Sequence, residues 1–151
     1  MNDRRWDLDA LRAGASVALV FAVPFSIGAR WAAESRDDSV LAFWLSVGAV
    51  VGFVLGAGCA AWVQRLDLPL THALVTAIGT YTAAQAVFIL IRLLRGSDVN
   101  WFAALFNLSV VAGAGLVGGS LGRRLQAKGF RPSSSPPRSG SHETSHGTEQ
   151  P

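Results

Sequence analysis

The side chains that could carry acid–base, nucleophilic or metal chemistry are few, and they lie far apart in the chain. His72 follows Thr71 and stands five residues after Asp67, but a catalytic histidine needs a positioned nucleophile or acid–base partner, and the pattern offers none. A histidine alone at the end of an apolar run is typically solvated. His142 and His146 lie four residues apart, which on a helix would suit a metal ion, yet the surrounding Ser, Pro and Gly residues favour no helix. We therefore predict no enzyme, no catalytic residue, no metal site and no cofactor.

Polar side chains inside apolar stretches are the remaining candidates for a site. Four of them fall in the third of their stretches that lies farthest from the side of the two termini: Ser26, Ser46, Gln85 and Asn107. Gln85 lies seven residues before Arg92 and Asn107 lies eight residues after Val99, so an antiparallel helix pair would hold both amides at similar depth. We expect Gln85 and Asn107 to hydrogen-bond each other between helices, a contact of about 0.6 to 2 kcal/mol in a membrane. The alternative is a small polar vestibule.

The stretches that hold these residues are four long runs without a charged residue. They are Ala13–Ala29, Ser39–Gln64, Leu68–Ile91 and Val99–Gly122. Only 15% of the chain is charged, whereas a soluble domain typically carries about 25% charged residues. Apolar runs of about 18 or more residues are typical of transmembrane helices, and these runs lack the alternation of barrel strands. We predict an all-α bundle of four transmembrane helices, at about residues 13–31, 40–63, 68–91 and 99–122.

This composition excludes several classes of protein. Cys59 is the only cysteine, so an intrachain disulfide scaffold is impossible. The net charge is only +3 and the basic residues flank the apolar runs, so we predict no nucleic-acid partner. The first run could be a signal peptide, but Arg30 or Trp31 would then occupy a position before the cleavage site that requires a small residue. An uncleaved span is the favoured interpretation.

The basic residues also predict the orientation of the helices. Nine Lys and Arg residues lie on the side that holds both termini and four lie on the other side. Because cytoplasmic loops carry an excess of Lys and Arg, we predict that residues 1–12 and both termini are cytoplasmic. The membrane that the helices span is predicted to be a bacterial inner membrane. Four basic residues that follow the last run are expected to contact lipid headgroups: Arg123, Arg124, Lys128 and Arg131. All five tryptophans lie near the ends of the runs, as interfacial indoles do.

Small residues recur every four positions in the second and fourth runs. They include Gly48, Gly52 and Gly56 in the second run and Gly115 and Gly119 in the fourth. Such a glycine zipper lets helices approach closely in lipid, and we predict that it packs the second helix on the fourth; the alternative is an interface between two copies. The two runs also match at an offset of 63 residues, for example Phe43 with Phe106, which fits two tandem helical hairpins.

The end of the chain differs from the rest. After Phe130 it contains no Leu, Ile, Val or aromatic residue, so we predict a disordered cytoplasmic tail over residues 126–151. In hydropathy and composition the whole chain resembles the small four-helix integral membrane proteins of unknown function found in high-GC bacteria. We expect a non-enzymatic assembly or interaction protein whose partners are the lipid bilayer and a second copy or another membrane protein. The alternative is a small transporter or channel subunit.

Overall fold

The computed structural model describes residues 6–35 and 38–130, and every regular element in these ranges is a helix. Helix α1 covers Leu8–Ser35, α2 covers Ser39–Val63, α3 covers Pro69–Leu94 and α4 covers Trp101–Ala127. The predicted all-α architecture is confirmed, and each helix is long and apolar enough to cross a bilayer, as in a multi-pass membrane protein. Helix α1 begins earlier than the predicted residue 13, because charged side chains beyond an apolar run do not end a helix.

The helix starts are determined by side chains that satisfy free backbone N–H groups. Oδ1 of Asp7, Asp38 and Asn100 accepts from the backbone N–H three residues later, at 3.2, 2.9 and 3.0 Å. Helix α3 begins instead with Pro69, whose fixed φ and missing N–H suit a first helical turn. It ends just before Gly96, which has a φ of 67°, a conformation that glycine adopts without strain.

The four helices form one bundle in which α1 and α4 are diagonal to each other. Helix α1 contacts α2 and α3, α4 contacts the same two helices, and α2 also meets α3 across the axis; within the described ranges α1 and α4 do not touch. We call the end that holds the start of α1, the α2–α3 connection and the end of α4 the N/C end. The opposite end, with the α1–α2 and α3–α4 connections, is the far end.

The half of the bundle nearest the N/C end is packed through glycine and alanine. A Cβ built on Gly56 would lie 2.7 Å from the Cβ of Ala18 and 2.7 Å from the carbonyl oxygen of Gly14. One turn further along, a Cβ on Gly52 would lie 2.8 Å from the backbone nitrogen of Ala22. Real side chains do not fit at these distances, so α1 and α2 meet backbone to backbone only because these positions are small.

The partner of the α2 glycine stripe (Gly48, Gly52 and Gly56) is α1, and this corrects the expected packing of α2 on α4. Helix α1 carries its own small residues at the same four-residue spacing and is joined to α2 by a short connection, so the two form an antiparallel hairpin. Gly48 at the far end of the stripe faces the ring of Phe25. Helix α4 meets α2 through a different face, where Gly118 lies against Gly58.

The predicted packing glycines of α4 face α3. A Cβ on Gly115 would lie 3.1 Å from the Cβ of Ala77, and one on Gly119 would lie 2.8 Å from the Cβ of Ala73. The glycines singled out from the sequence are therefore covered by helices of the same chain. An interface between two copies would have to use other residues.

Candidate functional site

A cavity of about 220 Å³ lies in the half of the bundle nearest the far end, and all four helices line it. The four polar residues singled out from the sequence are all in its lining: Ser26, Ser46, Gln85 and Asn107. Each comes from a different helix, and all stand at similar depth because the helices run antiparallel. We call this cavity the deep lobe of the vestibule. Apart from these polar side chains and Arg30 and Tyr81, its lining is Ala, Val and Phe.

Gln85 and Asn107 line the deep lobe without forming the expected hydrogen bond to each other; neither amide has a hydrogen-bond partner among the described residues. Large side chains explain the separation. The rings of Tyr81 and Phe88 belong to the lining, whereas α3 and α4 approach closely at Gly115 and Gly119, nearer the N/C end. The vestibule, which was the alternative interpretation of these residues, is the arrangement that the structure shows.

Tyr81 supplies the polar contact between α3 and α4 in this region. Its hydroxyl donates to the carbonyl oxygen of Ala104 at 2.8 Å, and its ring packs edge-on to Phe53 with a centroid separation of 6.3 Å. Sequence reasoning missed Tyr81. The available signal was that it is the only tyrosine of the chain and lies four residues before Gln85, on the same face of the helix.

A second lobe of about 230 Å³ opens next to the first at the far end, and Arg30, Gln85, Phe88 and Asn107 line both. We call it the outer lobe. The guanidinium carbon of Arg30 lies 5.0 Å from the centroid of the Phe88 ring, within the range of a cation–π contact. Arg92 also lines the outer lobe and donates from Nη1 to the carbonyl oxygen of Asp98 at 3.2 Å. Sequence reasoning assigned neither arginine to a site.

The outer lobe has a positive electrostatic character. Arg30 and Arg92 are its charged lining residues, and no Asp or Glu is among the described residues that line either lobe. The start of α4, from Asn100 to Ala104, forms one wall, and the N-terminus of a helix carries a partial positive charge. The arrangement can therefore attract and hydrogen-bond an anion.

The vestibule is closed toward the N/C end. Phe53 and Val111 line the bottom of the deep lobe and are only 7% and 4% exposed. Below them begins the half of the bundle in which glycine and alanine bring the backbones together, with Gly118 against Val54 and Gly58. Phe53 and Val111 therefore bound the site on the side of the N/C end.

A second polar group lies at the N/C end, around His72. The expected solvated histidine is instead completely buried. Its Nε2 accepts from the backbone N–H of Asp7 at 3.0 Å, and its Nδ1 lies 2.9 Å from the carbonyl oxygen of Leu68. With Nε2 as the acceptor, Nδ1 is the ring nitrogen that can donate to the carbonyl oxygen of Leu68. Trp6 packs edge-on to the same ring at 5.8 Å.

Two glutamines link the α2–α3 connection to the end of α4. Oε1 of Gln64 accepts from the N–H groups of Leu66 and Leu68 at 2.8 and 3.3 Å. Nε2 of Gln126 donates to the carbonyl oxygens of Trp62 and Gln64 at 2.9 and 3.1 Å. The contacts of Gln126 join residues more than 60 positions apart, and no local sequence pattern indicates them. Both polar groups at this end satisfy backbone atoms, which is a structural role.

The remaining predicted site residues are at the surface or outside the described ranges. The end of α4 exposes three of the predicted headgroup residues, Arg123, Arg124 and Lys128. Their side chains are accessible to lipid headgroups. Arg131, His142, His146 and the part of the predicted tail (residues 126–151) that follows Phe130 lie outside the described residues, whereas Gln126 and Ala127, which that prediction included, belong to α4. Within residues 6–35 and 38–130, no group of three or more His, Cys, Asp and Glu side chains is placed to hold a metal ion.

Comparison with known proteins gives no family to which this site could be assigned. No protein-family model, no curated protein and no solved structure matches the chain. The vestibule must be interpreted from its own geometry.

Proposed function

We propose that this protein is a non-enzymatic integral membrane protein that acts by binding, and that the vestibule is its recognition element. The observation that carries the proposal is the convergence of one polar side chain from each helix on a cavity that is closed toward the N/C end. A pocket of this shape, largely apolar with a few polar groups, is typical of a ligand-binding site. The bound partner belongs to the membrane environment: a lipid, a second copy or another membrane protein.

Photo-crosslinking in native membranes tests this proposal. A benzophenone amino acid at Ala84, which lines the deep lobe, should give one discrete adduct. The same residue at Ala83, which is exposed on the outer surface of α3, should give only diffuse lipid adducts. The two positions are adjacent on one helix, so expression and insertion are matched. Identical adduct patterns at both positions would contradict a binding role for the vestibule, and the mass of a discrete adduct separates lipid from protein.

A small transporter or channel subunit is the second candidate function, favoured by the two arginines at the mouth of a polar cavity. Proteoliposomes distinguish it from the first. We expect the flux of potassium, chloride and phosphate to equal that of empty vesicles, because backbone contacts fill the axis below Phe53. Flux that the Asn107→Leu variant stops, in protein that remains folded, would establish the transporter in place of the binding protein.

We also propose that both termini face the cytoplasm of a bacterial cell, on the basis of the nine-to-four distribution of basic residues. Single cysteines at Ser39 and Ser134 in a Cys59→Ser background give the test. A membrane-impermeant maleimide should label the Ser39 position in intact cells and the Ser134 position only after lysis. The reverse pattern would mean that the chain is inserted the other way around.

A further inference from the structure

The charges around the vestibule are not balanced within it. Arg30 and Arg92 both face the outer lobe, and no carboxylate belongs to its described lining. Arg92 uses one N–H on the carbonyl of Asp98, and Arg30 lies over the Phe88 ring. A guanidinium has five N–H donors, so both residues keep donors for a ligand.

The donors that surround the outer lobe come from three helices. Arg30 belongs to α1, Gln85 and Arg92 to α3, and Asn107 to α4, with Asn100 immediately before α4. A carboxylate presents two oxygens in one plane, whereas a phosphate group presents several oxygens in a tetrahedral arrangement. Donors that converge from several directions therefore match phosphate better, and arginine is well suited to bind it because its planar fork can donate two parallel hydrogen bonds.

The deep lobe next to these donors suits a different chemistry. Its lining is mostly Ala, Val and Phe, with hydroxyls and amides in isolated positions. A ligand that occupies both lobes would have a phosphate at the arginines and an apolar part beside Val50 and Phe53. This combination of an anionic head and an apolar tail is that of a phosphorylated lipid.

We propose that the vestibule binds a phosphate group, with Arg30 and Arg92 as its ligands in the outer lobe, and that the apolar deep lobe accepts the hydrocarbon of a lipid that carries it. This inference rests on the proposed binding function and names its ligand class. The phosphate could reach the site on a lipid or as a free ion, and these two sources share the same arginine chemistry. The experiment separates them.

Calorimetric titration of the full-length protein in a neutral detergent provides the measurement. Three probes are compared: dihexanoyl phosphatidic acid, dihexanoylglycerol, which has the same chains without the phosphate, and inorganic phosphate. We expect phosphatidic acid to bind at least about tenfold more tightly than dihexanoylglycerol, because charge-assisted hydrogen bonds supply the difference. Inorganic phosphate should bind more weakly than the lipid, since it leaves the deep lobe empty; equal binding of the two would assign the site to the free ion.

Charge-removing variants show whether the arginines make the contact. Arg30→Gln and Arg92→Gln should each weaken phosphatidic acid about tenfold. Arg95→Gln is the matched control, because Arg95 is exposed at the same end of the bundle and lines neither lobe; it should change the affinity less than about twofold. Equal losses of affinity in all three variants would mean that the lipid is attracted by the positive charge of this end of the bundle in general. That result would overturn the assignment of Arg30 and Arg92 as phosphate ligands.

Two further outcomes keep the inference open to refutation. If a glutamine variant does not fold, the wild-type comparison is decisive alone: equal affinity for phosphatidic acid and dihexanoylglycerol overturns phosphate recognition. The proposed function fails separately, when the crosslinker at Ala84 gives no discrete adduct. A discrete adduct together with unchanged binding by Arg30→Gln and Arg92→Gln would refute the phosphate and leave the binding function standing.

Discussion

The two halves of the bundle are built from the same four helices but with side chains of different size. Near the N/C end, Gly14, Gly56 and Gly118 lie against other backbones, and the helices touch directly. Toward the far end, Tyr81 and Phe88 line a vestibule whose base is Phe53. Direct backbone contacts thus occur in one part of the bundle, whereas a cavity lined by large side chains occurs in the other. The small residues bring the backbones of the helices into contact, and the large residues line the cavity.

The strongest test of this contrast is a large side chain in the small-residue half. Gly56→Leu should destabilise the protein by about 3 kcal/mol or more, or prevent folding, because the new side chain would collide with Gly14 and Ala18. Gly113→Leu is the control, since nothing lies within 4 Å of a Cβ at that glycine. It should leave stability unchanged or raise it by up to about 1 kcal/mol through helix propensity. Unfolding in mixed detergent micelles measures both, and equal effects would mean that the α1–α2 contact is not close.

A smaller loss is expected when the buried histidine at the N/C end is replaced. His72→Leu leaves the backbone N–H of Asp7 without its acceptor, which should cost about 1 to 3 kcal/mol. Thr71→Val, at the exposed neighbouring position, should change stability by less than about 0.5 kcal/mol. The same unfolding assay applies to both. If His72→Leu leaves the free energy of unfolding unchanged, water replaces the histidine as the acceptor for the backbone N–H of Asp7.

Tyr81→Phe probes a polar link between α3 and α4 beside the vestibule. Loss of the hydroxyl that donates to Ala104 should destabilise the protein by about 1 kcal/mol. The neighbouring change Thr82→Val, at an exposed position, serves as the control. If Tyr81→Phe has no effect on the unfolding midpoint, the wall of the vestibule is held by ring packing alone.

The smallest effect is expected from the amides of the vestibule. Because Gln85 and Asn107 do not bond to each other, a double-mutant cycle with leucine at both positions should give a coupling energy below about 0.5 kcal/mol. A cycle at Gln64 and Gln126, whose side chains share a polar cluster, should give a larger value. Strong coupling between Gln85 and Asn107 would restore the paired arrangement that the sequence first indicated.

The outcome of sequence reasoning differs between elements. Four uncharged runs and the requirement for internal backbone hydrogen bonds in lipid determine four helices, and the depth of Gln85 and Asn107 follows from counting residues along an antiparallel pair. The packing partner of Gly52 does not follow, because several helices carry small residues at the same spacing and only the three-dimensional arrangement selects α1. The choice between paired amides and a vestibule does not follow either, since it depends on the distance between helices at Gln85 and Asn107, which residue counting along the chain does not give.

The contact between His72 and Asp7 has a consequence for the order of events during synthesis. Asp7 forms the start of α1 through its carboxylate, which also accepts from the backbone N–H of Arg65 at 3.2 Å. Its partners in the α2–α3 connection and in α3 are translated about 60 residues later, a delay of roughly 3 to 12 s at the usual rate of about 5 to 20 residues per second. The contacts of Asp7 with Arg65 and His72 can therefore form only after the start of the third helix has been synthesised, and until then the first turn of α1 lacks them.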